Sequence, residues 1–293
     1  MTGTQATSNV GVIGLGRMGG PIAARLAGHG HRVVGFDAAG TAERAGDGVE
    51  AAGSAADVAA ACEVVALSLP RSEVSIAVVG AIADQAERRT TTIVDLSTIG
   101  LTAAADCARI ASEAGLTYVD APLSGGVAGA TTGKMAMMAS APTDVIERVR
   151  PLLKDIAQNL FVVGTEPGHG QAMKLLNNYV SGTALAATFE AVVFGQRVGL
   201  DIQQIVDVLN VSSGRTTAST DKLPRSVVPG TYDFGFASEA MRKDMGLYLA
   251  GAAETASPRQ LAEASDALWQ RYVDACPDTD FTYLHHYLQD GGS

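Results

Sequence analysis

The fold of this chain is decided by the stretch Val10–Gly19, which reads VGVIGLGRMG. Its apolar start predicts a short buried strand, after which Gly14, Gly16 and Gly19 stand at the spacing GxGxxG. In such a turn the first glycine permits a tight bend, the second lets a phosphate approach the backbone, and the third lets a helix pack against the strand. The amide groups at the start of that helix attract the anion. The turn therefore predicts dinucleotide contacts from Gly14, Leu15, Gly16, Arg17, Met18 and Gly19.

An acidic residue follows the second predicted strand. Asp37 comes 23 residues after Gly14, a distance at which a carboxylate accepts hydrogen bonds from the ribose of adenosine. Since a carboxylate repels a 2′-phosphate, NAD is the favoured cofactor, and the nearby Arg44 leaves NADP possible. The same residues also allow a flavin dinucleotide, or a turn that serves packing alone. The order of strand, glycines, helix, strand and acid favours a nicotinamide cofactor.

Short apolar runs alternate with helix-competent stretches through the first half of the chain. This alternation indicates an α/β fold, with a Rossmann-type, doubly wound and mainly parallel sheet. The predicted strands are Val10–Ile13, Arg32–Phe36, Val64–Leu69, Thr92–Leu96, Thr117–Val119, Met135–Met138 and Leu160–Val163.

A turn cluster at Thr165–Gly170 ends this pattern and predicts a domain boundary. We expect residues 1–166 to form the dinucleotide-binding domain and residues 167–293 to form an all-α domain for substrate binding and dimerisation. A long helix predicted from Gly170 to Gly199 joins the two. The stretch Val211–Phe236 is rich in Ser, Thr and Gly, so it predicts a loop. Further helices are predicted at Asp201–Asn210, Ser238–Ala252, Arg259–Asp274 and Thr282–Leu288.

The composition excludes several classes of protein. The 293 residues carry 21 Lys and Arg against 31 Asp and Glu, for a net charge of −10, whereas nucleic acids and anionic membranes require a basic surface. No uncharged apolar run reaches the roughly 18–20 residues of a membrane span. The three cysteines lie far apart, without a disulfide framework, which favours a cytoplasmic location. The five histidines lack metal-ligand spacing, so we expect no metal.

A second glycine-rich loop follows the predicted strand Thr117–Val119. It contains Ser124, Gly125 and Gly126, and loops at the carboxyl ends of parallel strands face the ligand. The serine hydroxyl and the two backbone amides are suited to bind a small anion. A glycine-rich turn between strands accounts for the same residues equally well, so the residues alone leave both interpretations open.

Lys174 and Asn178 stand four residues apart in the long predicted helix and therefore share one face. Lys174 is the sole charged residue between Glu166 and Glu190. Burial lowers the pKa of a lysine towards the range useful for proton transfer. A lysine at a helix start can equally extend its stem and keep its charge in solvent. Lys243, in a later predicted helix, is more ambiguous, and taken alone it favours a solvated charge on the helix surface.

These motifs together resemble the β-hydroxyacid dehydrogenase family, which includes 3-hydroxyisobutyrate dehydrogenase and tartronate semialdehyde reductase. The resemblance covers nearly the whole chain. It implies a Rossmann domain, an all-α domain and reversible hydride transfer between a nicotinamide and the hydroxyl-bearing carbon of a small β-hydroxy acid. It also implies a homodimer or homotetramer with the long helix partly in the contact. The four motifs are GLGRMGGP from Gly14, DAPLSGG from Asp120, GHGQAMKLLNN from Gly168 and KD at Lys243.

The resemblance also assigns roles to individual residues. Lys174 exchanges the proton of the substrate hydroxyl, and Asn178 orients the lysine or the substrate oxygen. Ser124–Gly126 holds the substrate carboxylate. This chain departs from the family at Val74, where many members have an asparagine. Further cofactor contacts carry over to Leu69, Pro70, Thr98 and Lys243.

Two other functions and one specificity residue stay open. Imine reductases resemble this architecture but typically lack a lysine at the position of Lys174. A non-catalytic cofactor-binding scaffold is a further alternative, against which the presence of Lys174, Asn178 and Ser124 favours an enzyme. Arg215 lies in a loop where family members vary their substrate contacts. It binds a second anionic group of the substrate bidentately, or it is a solvated loop residue.

Overall fold

The computed structural model describes residues 8–292, which divide into two compact units. The first unit ends at Lys174 and the second begins at Leu175. Buried apolar clusters lie within each unit. The domain boundary predicted between residues 166 and 167 stays a prediction.

The first unit is built on one sheet. Its strands are β1 (Asn9–Ile13), β2 (Arg32–Phe36), β3 (Val49–Ala51), β4 (Val64–Leu67), β5 (Thr92–Asp95), β6 (Thr117–Asp120), β7 (Leu123–Ser124), β8 (Ala136–Ser140) and β9 (Asn159–Gly164). The strand order is β3-β2-β1-β4-β5-β6-β8-β7, with β9 paired to β8. Strand β8 runs antiparallel to β6 and β7, and the other pairs are parallel. The predicted Rossmann-type, mainly parallel sheet is confirmed.

Helices cover both faces of this sheet. They are α1 (Gly19–Gly28), α2 (Thr41–Arg44), α3 (Ala55–Ala61), α4 (Ser72–Ala83), α5 (Leu101–Glu113), α6 (Gly126–Thr132) and α7 (Thr143–Ile156). Successive strand side chains point to opposite faces. Val12 therefore joins the cluster with α1 and α7, whereas Ile13 joins the cluster with α3, α4 and α5. Burial on both sides accounts for the continuous apolar runs of the strands.

Two strands of the sheet are absent from the sequence prediction. Strand β3 contains the charged Glu50, and β7 has two residues, so neither shows the apolar run that indicates a buried strand. The predicted strands Val64–Leu69 and Thr92–Leu96 end earlier, at Leu67 and Asp95, because the chain turns away from the sheet into loops there.

The second unit is helical, as predicted. Helix α8 (His169–Arg197) begins in the first unit, and the later elements are α9 (Ile202–Val211), a π-helical segment (Ala218–Val227), α10 (Ser238–Glu254), α11 (Gln260–Ala275), a 3₁₀ turn (Phe281–Tyr283) and α12 (Leu284–Gln289). Asp201 caps α9 by accepting the amides of Gln203 and Gln204 at 2.9 and 3.1 Å. None of the helices within residues 8–292 combines the length and apolar character needed to cross a membrane.

The loop predicted at Val211–Phe236 is wrong in its middle, where Ala218–Val227 forms π-helical turns. Ser, Thr and Pro favour loops when read locally, but Leu223 is fully buried in the core of the second unit. The segment also begins with reciprocal bonds, because Thr216 N donates to Ser219 Oγ at 3.0 Å and Ser219 Oγ donates to Thr216 O at 2.9 Å. Burial and these bonds outweigh the local preference.

Candidate active site

The carboxyl ends of five parallel strands form a row at one edge of the sheet. The register joins Phe36 to Ile13, Ile13 to Leu67, Leu67 to Asp95, and Asp95 to Asp120. Open parallel sheets bind ligands beyond this edge, near the point where the strand order reverses. Here the order reverses between β1 and β4. The loops after these five strands carry the cofactor residues predicted in the first unit.

The glycine turn between β1 and α1 has two occluded positions and one open position. A Cβ added at Gly14 would lie 2.2 Å from the carbonyl oxygen of Ser68, and one at Gly19 would lie 1.8 Å from that of Gly14. Gly14 also has a φ of +91°, which other residues rarely adopt. A Cβ at Gly16 would meet no atom of the described residues within 4 Å. The turn therefore fits a pyrophosphate approaching at Gly16.

Side chains around this turn differ in exposure. Leu15 is buried, Met18 is half-buried and Arg17 is exposed. Their backbone amides lie in the turn itself. Leu15 can therefore contact a dinucleotide only through its backbone, whereas Arg17 can also use its accessible side chain.

Asp37 is fixed in orientation at the end of β2. Its Oδ2 accepts the amide of Leu15 at 2.8 Å, and its Oδ1 accepts the amide of Ala39 at 2.8 Å. Arg44 Nη1 lies 3.3 Å from Oδ2. A carboxylate has about four acceptor positions, so capacity remains for a ribose hydroxyl. Arg44 is also paired with this carboxylate, which fits a nucleotide without a 2′-phosphate.

The loops after β4 and β5 are tied to each other. Leu69 N donates to Ser97 Oγ at 2.8 Å, and Ser97 N donates to Asp95 Oδ1 at 2.9 Å. Pro70 is exposed and Thr98 is half-buried. The structure therefore brings three predicted cofactor residues onto two connected loops at the ligand-binding edge.

Two buried carboxyl groups stand side by side in this edge. Burial raises the pKa of Asp95, and it raises the pKa of Asp120 to about 6. Hydrogen bonds oppose the effect at Asp120, which accepts the side-chain amide of Gln171 at 2.7 Å and the backbone amides of Gln171 and Gly168 at 3.0 and 3.1 Å. Tyr118 OH donates to Asp95 at 3.2 Å. Asp120 thereby binds the start of α8 to the end of β6.

The predicted anion loop lies between β7 and α6. Ser124 is half-buried at the end of β7, and Gly125 and Gly126 have φ values of +143° and +63°. A Cβ at Gly125 would lie 3.1 Å from Met135 Cγ, whereas one at Gly126 would meet no described atom within 4 Å. The backbone is therefore accessible at Gly126, which a small carboxylate requires.

The start of α8 is pressed against the sheet, and Lys174 follows one turn later. A Cβ at Gly170 would lie 2.5 Å from the carbonyl oxygen of Met138 and 2.9 Å from Asp120 Oδ2. Lys174 itself is 6% exposed, so its stem does not extend into solvent. The burial favours a functional amine over a solvated one.

In the second unit, Asn178 and Lys243 meet at Asp244. Asn178 Nδ2 donates to Asp244 Oδ2 at 2.6 Å, and Asn177 Nδ2 donates to Asn178 Oδ1 at 3.0 Å. Lys243 Nζ lies 3.4 Å from Asp244 Oδ1. The exposed Arg215 lies in the turn after α9, with its amide 3.2 Å from the carbonyl oxygen of Ser212. Its role stays a prediction.

Sequence reasoning gave no role to Gln171 in the first unit or to Asp244 in the second, although both are buried. Gln171 stands three residues before Lys174, on the neighbouring turn of the same helix face. That spacing was the available signal. Asp244 adjoins Lys243 in the sequence. Residues 8–292 contain no group of three or more His, Cys, Asp or Glu arranged to hold a metal ion.

We expect Gly19→Ala and Gly16→Ala to separate packing from ligand binding. The first places a methyl group against Gly14 O and lowers the free energy of unfolding by about 1–3 kcal/mol. The second leaves the unfolding free energy within about 0.5 kcal/mol of the original and weakens NAD+ binding about tenfold. Denaturant unfolding and calorimetric titration measure the two quantities. Unchanged NAD+ affinity in Gly16→Ala would contradict the assignment.

We expect Asp120→Asn to remove one pH-dependent contribution to stability. Because burial raises the pKa of Asp120 from 3.8 to about 6, its contribution is complete below pH 4 and is lost as the pH rises through 6. Between pH 4 and 8, the free energy of unfolding of the original chain should therefore fall by up to about 3 kcal/mol relative to that of the variant. Denaturant unfolding across this range measures the difference. Asp47→Asn, at an exposed position, is the control, and a parallel profile for both variants would refute the expectation.

Two family models together match most of the chain. One is described as the NAD binding domain of 6-phosphogluconate dehydrogenase and matches residues 9–164. The other is described as NAD-binding of NADP-dependent 3-hydroxyisobutyrate dehydrogenase and matches residues 168–288. The two matches follow one another in the order of the strand-rich and helical parts.

Similar proteins cover nearly the whole chain. The 2-(hydroxymethyl)glutarate dehydrogenase of Eubacterium barkeri is 33% identical over 265 residues, or 89% of this chain and 88% of that protein. The structure of Mycobacterium tuberculosis 3-hydroxyisobutyrate dehydrogenase with L-serine has a TM-score of 0.90 at 31% identity, covering 97% of this chain and 100% of that one. An imine reductase from Pseudomonas sp. has a TM-score of 0.65 at 19% identity, covering 97% and 100%. This last likeness shows a shared fold alone.

Proposed function

The chain belongs to the β-hydroxyacid dehydrogenase family and is an NAD(P)-dependent dehydrogenase of hydroxy acids, and from this premise we propose how its residues act. The substrate is a small β-hydroxy acid similar to 3-hydroxyisobutyrate. The observation that carries the proposal is the burial of Lys174 in a helix that starts at the ligand-binding edge of the sheet. A bound nicotinamide would supply the hydride acceptor for oxidation and the hydride donor for reduction.

Lys174 is the proposed general acid and base. Its Nζ accepts the proton of the substrate hydroxyl in oxidation and donates a proton to the carbonyl oxygen in reduction. Asn178 follows one helical turn later and orients the lysine or the substrate oxygen. The hydrogen bond to Asp244 fixes Asn178 Nδ2 towards that carboxylate. Asn178 Oδ1 therefore also has a defined direction.

The substrate carboxylate is proposed to bind at Ser124, Gly125 and Gly126. A serine hydroxyl and backbone amides are suited to a carboxylate, and the open space at Gly126 supports this placement. The carboxylate contact would orient the hydroxyl-bearing carbon for reaction, which lowers the entropic cost of the chemical step.

The cofactor is proposed to be NAD rather than NADP. Asp37 accepts the ribose hydroxyls and repels a 2′-phosphate, while Arg44 is held by the same carboxylate. The amides of the turn Gly14–Gly19 would hold the diphosphate. The remaining proposed contacts are Leu69, Pro70, Thr98 and Lys243.

A second anionic group on the substrate is proposed to contact Arg215. A guanidinium binds a carboxylate bidentately, and the side chain of Arg215 is exposed. The name of the Eubacterium barkeri relative, 2-(hydroxymethyl)glutarate dehydrogenase, denotes a dicarboxylate. A dicarboxylic β-hydroxy acid therefore belongs to the proposed substrate class.

The chain is further proposed to form a homodimer or homotetramer in the cytoplasm. Leu176, Val180 and Phe194 of α8 are exposed, at 43%, 61% and 69%. Such apolar surface on one helix favours burial against another subunit. The three free cysteines fit a reducing compartment.

We expect Lys174→Ala to lower kcat for oxidation of 3-hydroxyisobutyrate by about 10²–10⁴-fold, the usual contribution of a general base. NAD+ affinity should change less than about twofold, since the lysine acts on the substrate. Steady-state kinetics from pH 6 to 10 measure the effect. The rise of the oxidation rate with pH should disappear in the variant, because oxidation requires the neutral amine. Lys154→Ala, at an exposed position, is the control. If Lys174→Ala oxidised the substrate at the rate of the original chain, the proposal would be overturned.

We expect Asp37→Asn to shift cofactor preference towards NADP. Loss of the carboxylate charge removes the repulsion of the 2′-phosphate and releases Arg44 to pair with it. The ratio of kcat/KM for NAD over NADP should fall by about tenfold or more, which corresponds to about 1.4 kcal/mol. Glu43→Gln removes a neighbouring exposed charge and should leave the ratio unchanged. If Asp37→Asn kept the NAD-to-NADP ratio of the original chain, Asp37 would be excluded as the residue that selects between the two cofactors.

A further inference from the structure

The side-chain amide of Gln171 makes all of its hydrogen bonds within the first unit. It is fully buried in α8, three residues before Lys174. Its oxygen accepts two backbone amides and its nitrogen donates to two oxygens, so all four hydrogen-bonding positions are satisfied. The partners are Ile99 N at 2.8 Å, Gly100 N at 3.1 Å, Ser97 O at 3.1 Å and Asp120 Oδ1 at 2.7 Å.

These bonds connect the helix to the loops that carry the proposed cofactor contacts. Three of the four partners belong to the loop after β5, which also contains Thr98. The loop after β5 also holds the loop after β4, because Ser97 Oγ accepts the amide of Leu69 at 2.8 Å. One side chain therefore links the helix bearing Lys174 to both loops.

Asp120 determines which way the Gln171 amide faces. Its Oδ1 accepts Gln171 Nε2, while its Oδ2 accepts the backbone amides of Gly168 and Gln171. A flipped amide would place its oxygen against this carboxylate and its nitrogen against the amides of Ile99 and Gly100. All four bonds would then be lost, so one orientation is strongly favoured.

The backbone approach at Gly170 prevents the helix from shifting towards the sheet. Met138 O and Asp120 Oδ2 already occupy the space that a Cβ would need, at 2.5 and 2.9 Å. The bonds of Gln171 in turn oppose a shift away from the sheet. The first turn of α8 is therefore restrained in both directions.

We propose that Gln171 is a positioning residue for the dehydrogenase reaction, which acts by fixing Lys174 relative to the cofactor loops, with Asp120 holding the Gln171 amide in register. This inference rests on the proposed role of Lys174. A small displacement of a proton-transfer group lowers the rate of the chemical step with little effect on ground-state binding. The signature of positioning is thus a fall in kcat without a matching change in KM or cofactor affinity.

The first experiment compares Gln171→Leu with Thr90→Val in the full-length chain. Thr90 is a matched control because it is buried and its Oγ1 donates to the carbonyl oxygens of Ala59 and Cys62 at 3.1 and 2.8 Å, away from α8. We expect Gln171→Leu to lower kcat about tenfold or more with KM and NAD+ affinity within about threefold. Thr90→Val should lower Tm with kcat within about twofold. Equal kcat losses at equal Tm losses would overturn the proposal.

A second pair of variants keeps the test decisive if Gln171→Leu does not fold. Gln171→Glu keeps the acceptor for Ile99 and Gly100 but faces Asp120 with a second carboxylate, which requires a shared proton. We expect its kcat to fall below the original as the pH rises from 6 to 9. Adding Asp120→Asn supplies an amide donor to the introduced carboxylate. The double variant should recover about threefold or more in kcat at pH 8, and no recovery would overturn the role of Asp120.

A double-mutant cycle with Lys174→Ala distinguishes this inference from the proposed function. If Gln171 acts through Lys174, Gln171→Glu should change the residual rate of Lys174→Ala by less than about twofold. Equal fold losses in both backgrounds would overturn the positioning role and leave Lys174 as the base. An undiminished rate in Lys174→Ala alone would overturn both.

Discussion

The hydrogen bond between Gln171 and Asp120 is the contact on which the geometry of the first unit's ligand-binding edge depends. A carboxyl group buried at the end of a strand costs free energy when ionised, and here three N–H donors from the start of one helix offset part of that cost. Burial still outweighs these bonds, since the pKa of Asp120 is raised to about 6, so ionisation of Asp120 opposes the packing of the helix against the sheet. The ionisation of Asp120 and the placement of α8 therefore depend on each other, because the same hydrogen bonds are involved in both.

The rest of the edge is built from strand register and close backbone packing. Parallel register places the ends of β2, β1, β4, β5 and β6 in one row, so that their loops meet without long connections. Glycines at the first and last positions of the turn, and at Gly170, allow helices to start almost in contact with the strands. Side chains at these positions would separate the layers. The loops can therefore bond to one another, as Leu69 does with Ser97.

Much of this arrangement could be predicted because its signals are local. The turn Gly14–Gly19, the apolar strands and the uncharged neighbourhood of Lys174 are each visible within a short stretch. The partnership of Asp120 and Gln171 was not predictable, since it joins residues 51 positions apart whose types fit many surface roles. The π-helical segment Ala218–Val227 was missed because its stability comes from burial rather than from propensity. β7 was missed because two residues carry no periodicity.

The open position at Gly16 has a consequence for a chain with a net charge of −10. In the proposed site the diphosphate would be bound chiefly by amide dipoles of the turn, beside which Arg17 offers one accessible basic side chain. Such dipoles carry no mobile counterions to be released, and they act at short range, where dissolved salt screens little. Cofactor affinity should accordingly depend only weakly on ionic strength.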